Sequence, residues 1–209
     1  MYCFVSRDGM TIYVGKDKFE NEELIKYGRP TDIWFHVDDL SSAHVYLRLE
    51  RGQTIEDIPP ATLKDCCQLT KLRSIEGKKK SEVTIIYTPW ANLKKREHMK
   101  VGEIGFKDYK QVRKVKNVSR DREVLNKVGK SMEERFPNFP VEKEEWEREE
   151  EKIRKEDKRK RKQTEKEQVK AKEEQLRLES YQDMFDSDMG TSASEMRGLS
   201  VDDYEDDFM

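Results

Sequence analysis

Two neighbouring segments carry the clearest structural pattern of the chain: Asp32-Ile-Trp-Phe-His-Val37 and, after a short loop, His44-Val-Tyr-Leu-Arg-Leu49. Both segments alternate between two kinds of side chain, which is typical of β-strands with one face on the core. If the two strands form a hairpin, one register keeps their faces matched. That register makes three cross-strand pairs: His36 with His44, Trp34 with Tyr46, and Asp32 with Arg48.

The polar face of this hairpin is the first candidate binding site. Aromatic rings stack on bases, and arginine and histidine contact phosphates or base edges. The candidate residues are Trp34, His36, His44, Tyr46 and Arg48. Because an unperturbed imidazole titrates near pH 6.5, we expect binding to strengthen as the pH falls from about 7.5 to about 6. The alternative is that a helix covers this face and satisfies these groups internally, since Trp and Tyr are mostly buried.

The segments around the hairpin predict an α+β domain over residues 1–135. Residues 2–6 and 11–14 form short β-rich runs on either side of an Asp-Gly turn signal. Asp17 and Glu20 have the spacing of a capping box, which predicts a helix ending at Gly28. A second helix follows the two prolines at 59–60, strands are expected near 83–87, 103–106 and 112–118, and a closing helix near 124–132. We therefore expect a small mixed sheet with flanking helices.

Composition excludes several classes of protein. The chain has 209 residues, of which 41% are charged and 34% hydrophobic. No stretch reaches the roughly 18 apolar residues that a membrane helix needs, and the N-terminal residues lack the pattern of a signal peptide. Three cysteines, two of them adjacent, offer no disulfide framework and suit a reducing compartment. We expect a cytoplasmic protein.

A basic series follows the hairpin and is the second candidate binding site. Residues 71–135 carry far more lysine and arginine than acidic residues, whereas residues 1–70 are acidic overall. Aromatic residues interleave with the basic ones, which is the composition of a surface that tracks phosphates. The candidates are Lys78, Lys79, Lys80, Trp90, Lys94, Lys95, Arg96 and Lys100. Lys16, in a glycine-containing turn before a helix, is a weaker candidate, because an ordinary strand-to-helix turn explains it as well.

The C-terminal third predicts a different kind of structure. Residues 141–180 alternate acidic and basic side chains at i,i+4, which favours a long charged helix. Their apolar positions do not sustain a heptad, so a single helix is favoured over a coiled coil. Residues 181–209 are strongly acidic and are expected to be disordered. The helix is a candidate site for a protein partner, and the basic run 158–162 leaves nuclear import open.

The chain shows no sequence pattern of an enzyme. It lacks a nucleophile elbow, an HExxH sequence and a phosphate-binding loop of the Walker type. Its three histidines have no carboxylate or cysteine at metal-ligand spacing, so we expect no metal and no cofactor. The sequence therefore favours a nucleic-acid-binding module, with RNA favoured over DNA as its ligand. The alternative is an adaptor or scaffold that acts through the charged helix.

Three motifs together resemble the NFACT-R domain, a family of RNA-binding domains. They are Gly15-Lys-Asp-Lys-Phe-Glu-Asn21, Asp32-Ile-Trp-Phe-His36 with Ser42-Ala-His44, and Tyr87-Thr-Pro-Trp-Ala-Asn-Leu-Lys-Lys95 with Val101-Gly102. The resemblance covers about residues 1–120 and implies a non-enzymatic module for structured RNA. Its larger relatives bind tRNA on stalled large ribosomal subunits, which suggests a tRNA or ribosome-associated target. Where relatives often have Pro-Gly-Ser-His, this chain has Ser41-Ser-Ala-His44.

Overall fold

A computed structural model describes the backbone of residues 1–196, and the side chains of residues 1–181 and of Met184. The chain forms two compact units, one up to Glu147 and one from Arg148 onward. The first unit holds the sheet and the short helices. The described residues of the second, 148–196, are helical.

Seven strands form the main sheet. They are β1 (Tyr2–Val5), β2 (Thr11–Val14), β3 (Asp32–Val37), β4 (Val45–Arg48), β5 (Glu82–Pro89), β8 (Arg113–Ser119) and β9 (Glu133–Glu134). Their order across the sheet is β8-β5-β3-β4-β2-β1-β9. Two further strands, β6 (Leu93–Lys94) and β7 (Gly105–Phe106), form a separate small hairpin. Every pairing among these strands is antiparallel.

In the part of the chain that the structure describes, four α-helices accompany the strands: α1 (Lys18–Tyr27), α2 (Pro60–Arg73), α3 (Arg122–Gly129) and α4 (Phe139–Met196). The predicted cap of α1 is present, because the Asp17 carboxylate accepts hydrogen bonds from the backbone N–H groups of Phe19 and Glu20. Gly9, with φ of 83°, makes the predicted turn between β1 and β2. The α+β fold class is confirmed.

The sheet has a core on each face. On one face, Phe35, Val45 and their neighbours pack against α2 and α3 through Leu69 and Val124. On the other face, Trp34 and Tyr46 pack with Leu24 of α1 and with the β6–β7 hairpin. Because successive side chains of a strand point to opposite faces, the alternation in β3 and β4 divides them between the two cores.

Helix α4 is longer than the sequence predicts. It runs from Phe139 to Met196, whereas we expected a helix over 141–180 and a disordered acidic tail from 181. The rest of that predicted tail, residues 197–209, lies outside the residues that the structure describes. The i,i+4 pairing expected for the helix is seen at Glu151 and Lys155, 2.9 Å apart.

No helix within the described residues is long and apolar enough to cross a membrane.

Candidate nucleic-acid interface

The β3–β4 hairpin forms in the predicted register. Trp34 lies opposite Tyr46, and Asp32 lies opposite Arg48. At the open end of the pair the His36 and His44 rings are 5.2 Å apart between centroids. Trp34 stacks on His36 at 5.2 Å and meets His44 edge-on at 5.4 Å. The sequence therefore predicts correctly which polar and aromatic groups come together.

This face is covered rather than open to solvent. Trp34 is 1% exposed, His44 1% and Tyr46 0%, while His36 and Arg48 are half-buried. The cover consists of α1 and the β6–β7 hairpin, whose Phe106 ring packs edge-on against Trp34 at 5.7 Å. The structure therefore agrees with the alternative in which a helix covers this face, and it adds the β6–β7 hairpin to that cover. In this conformation the Trp34 ring cannot reach a base.

Burial also shifts the titration of the two histidines to lower pH. It lowers the pKa of His44 to about 3, with a smaller contribution from the neighbouring His36 imidazole and an opposing one from a hydrogen bond to the backbone of Gly102. The pKa of His36 is lowered by burial as well. The His44 ring is therefore neutral between pH 7.5 and 6, and His36 takes up its proton at a lower pH than a free imidazole does. In this conformation His44 does not supply the positive charge on which the expected strengthening of binding depends.

Three polar atoms of the covered face lack a hydrogen-bond partner: Trp34 Nε1, His44 Nδ1 and Tyr46 OH. Asp32, by contrast, is well satisfied. Its carboxylate accepts from the Tyr13 hydroxyl, the Arg29 backbone N–H at 3.0 Å and Arg48 Nε at 3.2 Å. Arg48 forms an ion pair with this carboxylate, and its guanidinium also lies over the Tyr13 ring. Arg48 acts here as a partner of a buried carboxylate.

One of the predicted phosphate-binding lysines holds the cover in place. Lys95 Nζ donates to the Glu22 carboxylate of α1 at 2.5 Å and to two carbonyl oxygens of its own loop, those of Lys100 and Glu103. Glu22 also accepts the Gly102 backbone N–H at 2.5 Å. Lys95 therefore ties the loop between β6 and β7 to α1, and its charge is engaged by groups of the fold at the surface.

Three other basic residues in or next to this loop are exposed to solvent. Lys94, Arg96 and Lys100 have exposed side chains and make no ion pair with the described part of the chain. The loop lies beside the start of α1. The position that a Cβ atom would take on Gly102 is 3.7 Å from the Cβ of Lys18. Together with Lys18, these residues give one stretch of surface with unpaired positive charge.

The structure places the predicted lysines at 78–80 elsewhere. They lie, exposed, in the turn after α2, the helix that packs on the opposite face of the sheet. The buried Lys71 fixes this turn, because its Nζ donates to the carbonyl oxygens of Lys80, Ser81 and Val118 at 2.9–3.0 Å. Trp90 is structural as well: its Nε1 donates to Leu24 O at 3.2 Å, and its ring fills the space above Gly28.

Two exposed aromatic rings at the start of α1 were missed by the sequence analysis. Phe136 is 82% exposed and has the Lys16 ammonium 4.2 Å from its ring centroid. Phe19 is 65% exposed and has the Lys18 ammonium at 5.2 Å. Lys16 also forms an ion pair with Glu134. For Phe19, the sequence signal that could have indicated this ring was the Lys-Phe dipeptide at 18–19, two residues after Lys16.

We call the surface made by these residues the α1–loop surface: Lys16, Lys18, Phe19, Phe136, Lys94, Arg96 and Lys100. It combines unburied rings with ammonium and guanidinium groups, which is the chemistry of a single-strand-binding platform. Within the described residues no group of three or more His, Cys, Asp or Glu side chains is placed to hold a metal ion.

Comparison with known proteins gives three informative matches. The family model described as the NFACT protein RNA binding domain matches residues 1–108. Coiled-coil domain-containing protein 25 of Danio rerio is 56% identical over 140 residues, which are 67% of this chain and 68% of that protein. The Rqc2 homolog RqcH of Streptococcus pneumoniae is 41% identical over 46 residues, which are 21% of this chain and 8% of that protein.

The fold is also similar to that of a solved structure. It is the C-terminal part of the fibronectin/fibrinogen-binding protein from Streptococcus suis, with a TM-score of 0.50 and 20% sequence identity. The match covers 60% of this chain and 48% of that one. The identity is low, so the likeness concerns the fold alone.

Proposed function

Because the chain belongs to the NFACT-R family of RNA-binding domains, we propose that its first unit is a non-enzymatic module that binds RNA through the α1–loop surface. The target we propose is an unpaired segment of a structured RNA, tRNA or ribosome-associated RNA. The short match to RqcH and the resemblance to larger NFACT proteins support this choice over DNA.

The observation that carries the proposal is the exposure of Phe19 and Phe136 beside Lys16 and Lys18. An exposed aromatic ring is withdrawn from water when a base stacks on it, which stabilises the complex. A nearby ammonium contacts the phosphate that follows the base. The covered face under the β6–β7 hairpin offers neither feature, because its rings are already packed.

The unpaired cations of the loop extend the surface. Lys94, at the end of β6, and Arg96 and Lys100, in the loop that Lys95 anchors to α1, have exposed side chains that form no ion pair among the described residues. Side chains that contribute nothing to folding are free to bind phosphate, with release of the counterions that phosphate carries. Affinity is therefore expected to fall steeply with salt concentration.

The experiment measures binding of the full chain to a fluorescent single-stranded RNA by anisotropy at several salt concentrations. Replacing Phe19 and Phe136 with alanine should cost about 1–3 kcal/mol of affinity for each base that stacks. Replacing Lys94, Arg96 and Lys100 with alanine should lower the slope of log K against log salt by about 0.7 for each phosphate that the variant no longer neutralises.

The matched control is Tyr181→Ala, which removes a ring that is 58% exposed on α4, far along the chain from this surface. It should bind as the wild type does. If the double phenylalanine variant and the triple basic variant both kept wild-type affinity and slope while remaining folded, the α1–loop surface would not be the RNA site.

A further inference from the structure

A small cavity in the first unit is lined by positive charge. It lies between the end of α1, strands β2 and β4, and the first turns of α4, and has a volume of about 40 Å³. Four basic side chains line it: Arg29, Arg48, Arg135 and Lys143. Glu142 is the carboxylate among its lining residues.

Arg29 is the least satisfied of these groups. It is half-buried, and its guanidinium forms neither an ion pair nor a hydrogen bond with the described side chains; it lies 6.0 Å from the Trp146 ring. Burial and the neighbouring Arg48 both lower the pKa of Arg29. Two guanidinium groups close together and partly out of water repel each other unless an anion lies between them.

The carboxylates at hand do not balance this charge. Asp32, behind the cavity, already accepts from the Tyr13 hydroxyl, the Arg48 guanidinium and the Arg29 backbone. Its one negative charge is therefore engaged by Arg48 and leaves the Arg29 guanidinium without a partner. Glu142 supplies one further negative charge against the remaining cations of the wall.

We propose that this cavity binds the phosphate group of a phosphate monoester between Arg29 and Arg48. A guanidinium presents N–H groups in a planar fork that matches two oxygens of a phosphate. A volume of about 40 Å³ is room for about three water molecules, and so for a single compact group but not for a nucleoside. The site therefore takes a terminal phosphate and leaves the rest of the ligand outside.

Two kinds of ligand carry a phosphate monoester of this kind: a small phosphorylated molecule and the terminal phosphate of an RNA. The cavity is lined by none of the residues of the α1–loop surface, so the proposal goes beyond the RNA binding proposed above and does not depend on it. The two sources are separated by the experiment.

The first measurement is calorimetric titration of the full chain with inorganic phosphate, with sodium chloride keeping the ionic strength constant. We expect saturable binding that Arg29→Gln weakens at least tenfold and that Arg29→Lys, which keeps the charge but loses the fork, weakens less. Because the Arg29 guanidinium forms no ion pair or hydrogen bond with the described residues, and the variant loses only its approach to the Trp146 ring, Arg29→Gln should melt close to the wild type. Arg120→Gln, at an exposed arginine outside the cavity, is the control and should leave phosphate binding unchanged.

The second measurement compares one RNA sequence carrying a 5′-phosphate, a 3′-phosphate or no terminal phosphate. An affinity gain of about tenfold from a terminal phosphate that is lost in Arg29→Gln would identify the RNA end as the ligand. Phosphate binding without such a gain would identify a small phosphorylated molecule.

Absence of saturable phosphate binding, or equal phosphate binding by wild type and a folded Arg29→Gln, would overturn the proposal. The unphosphorylated RNA reports separately on the proposed function. If that RNA does not bind, the RNA-binding proposal fails. The phosphate titration then still shows whether the cavity binds phosphate.

Discussion

Replacing Trp34 with alanine tests whether the covered face braces the fold. Trp34 is 1% exposed and packs on His36, His44 and Phe106, so its removal leaves a cavity between the sheet and the β6–β7 hairpin. Loss of a buried Trp typically costs about 3–5 kcal/mol. For a chain of this length, 1 kcal/mol shifts the melting temperature by about 2–4 °C, so we expect a fall of roughly 6–20 °C.

The assay is thermal unfolding followed by near-ultraviolet circular dichroism, with RNA anisotropy on the same sample below the transition. The matched control is Tyr109→Ala, which removes a ring that is 75% exposed and should change the melting temperature little. Where the Trp34→Ala protein is still folded, we expect RNA affinity close to wild type, because the ring is not at the surface. An unchanged melting temperature together with a large loss of RNA affinity would refute this reasoning and restore Trp34 as a stacking residue.

Two further predictions concern pH and the long helix. The pKa of His44 is about 3 in the folded chain and about 6.5 when unfolded, so the unfolded chain takes up the proton and stability is lost as the pH falls from 6.5 towards 3. Between pH 6.5 and 4.5 the loss should reach about 2–3 kcal/mol, and His44→Phe should melt with a correspondingly flatter pH dependence; identical pH profiles would contradict the burial of His44. A peptide of residues 141–180 should be helical by circular dichroism, lose helicity in high salt as its ion pairs are screened, and sediment as a monomer. A stable dimer at micromolar concentration would show that its sparse apolar positions suffice for a coiled coil.

The β3–β4 hairpin shows how far the sequence predicts this structure. Alternation over residues 32–37 and 44–49 was sufficient to place Trp34 against Tyr46, because a slip of one residue would turn both apolar sets away from the core. Alternation describes the chemistry of a face and says nothing about what packs on it. The covering contacts, such as Lys95 with Glu22 across 73 positions of the chain, depend on a tertiary arrangement that no local pattern encodes.

The same limit applies to the basic candidates. Lys94, Lys95 and Arg96 are alike in charge and exposure, yet among the described contacts only Lys95 is held by the fold, because Glu22 and two loop carbonyls converge on its ammonium. Phe19 and Phe136 show the converse. An apolar ring is normally assigned to the core, and its exposure becomes visible only when the neighbouring elements are in place.

Strand β8 has a further consequence, for the behaviour of the protein at high concentration. It is an edge of the sheet, and an edge strand with free backbone groups invites pairing with another molecule. In β8 the pairing register shifts near Asn117, whose φ of 57° is left-handed, and the exposed side chains of Arg113, Lys114 and Lys116 flank the irregularity. A kinked edge with charged side chains, two of them paired with Glu56 and Asp38, resists strand addition, and the opposite edge, β9, is only two residues long. The sheet is thereby protected at both ends against growth into aggregates.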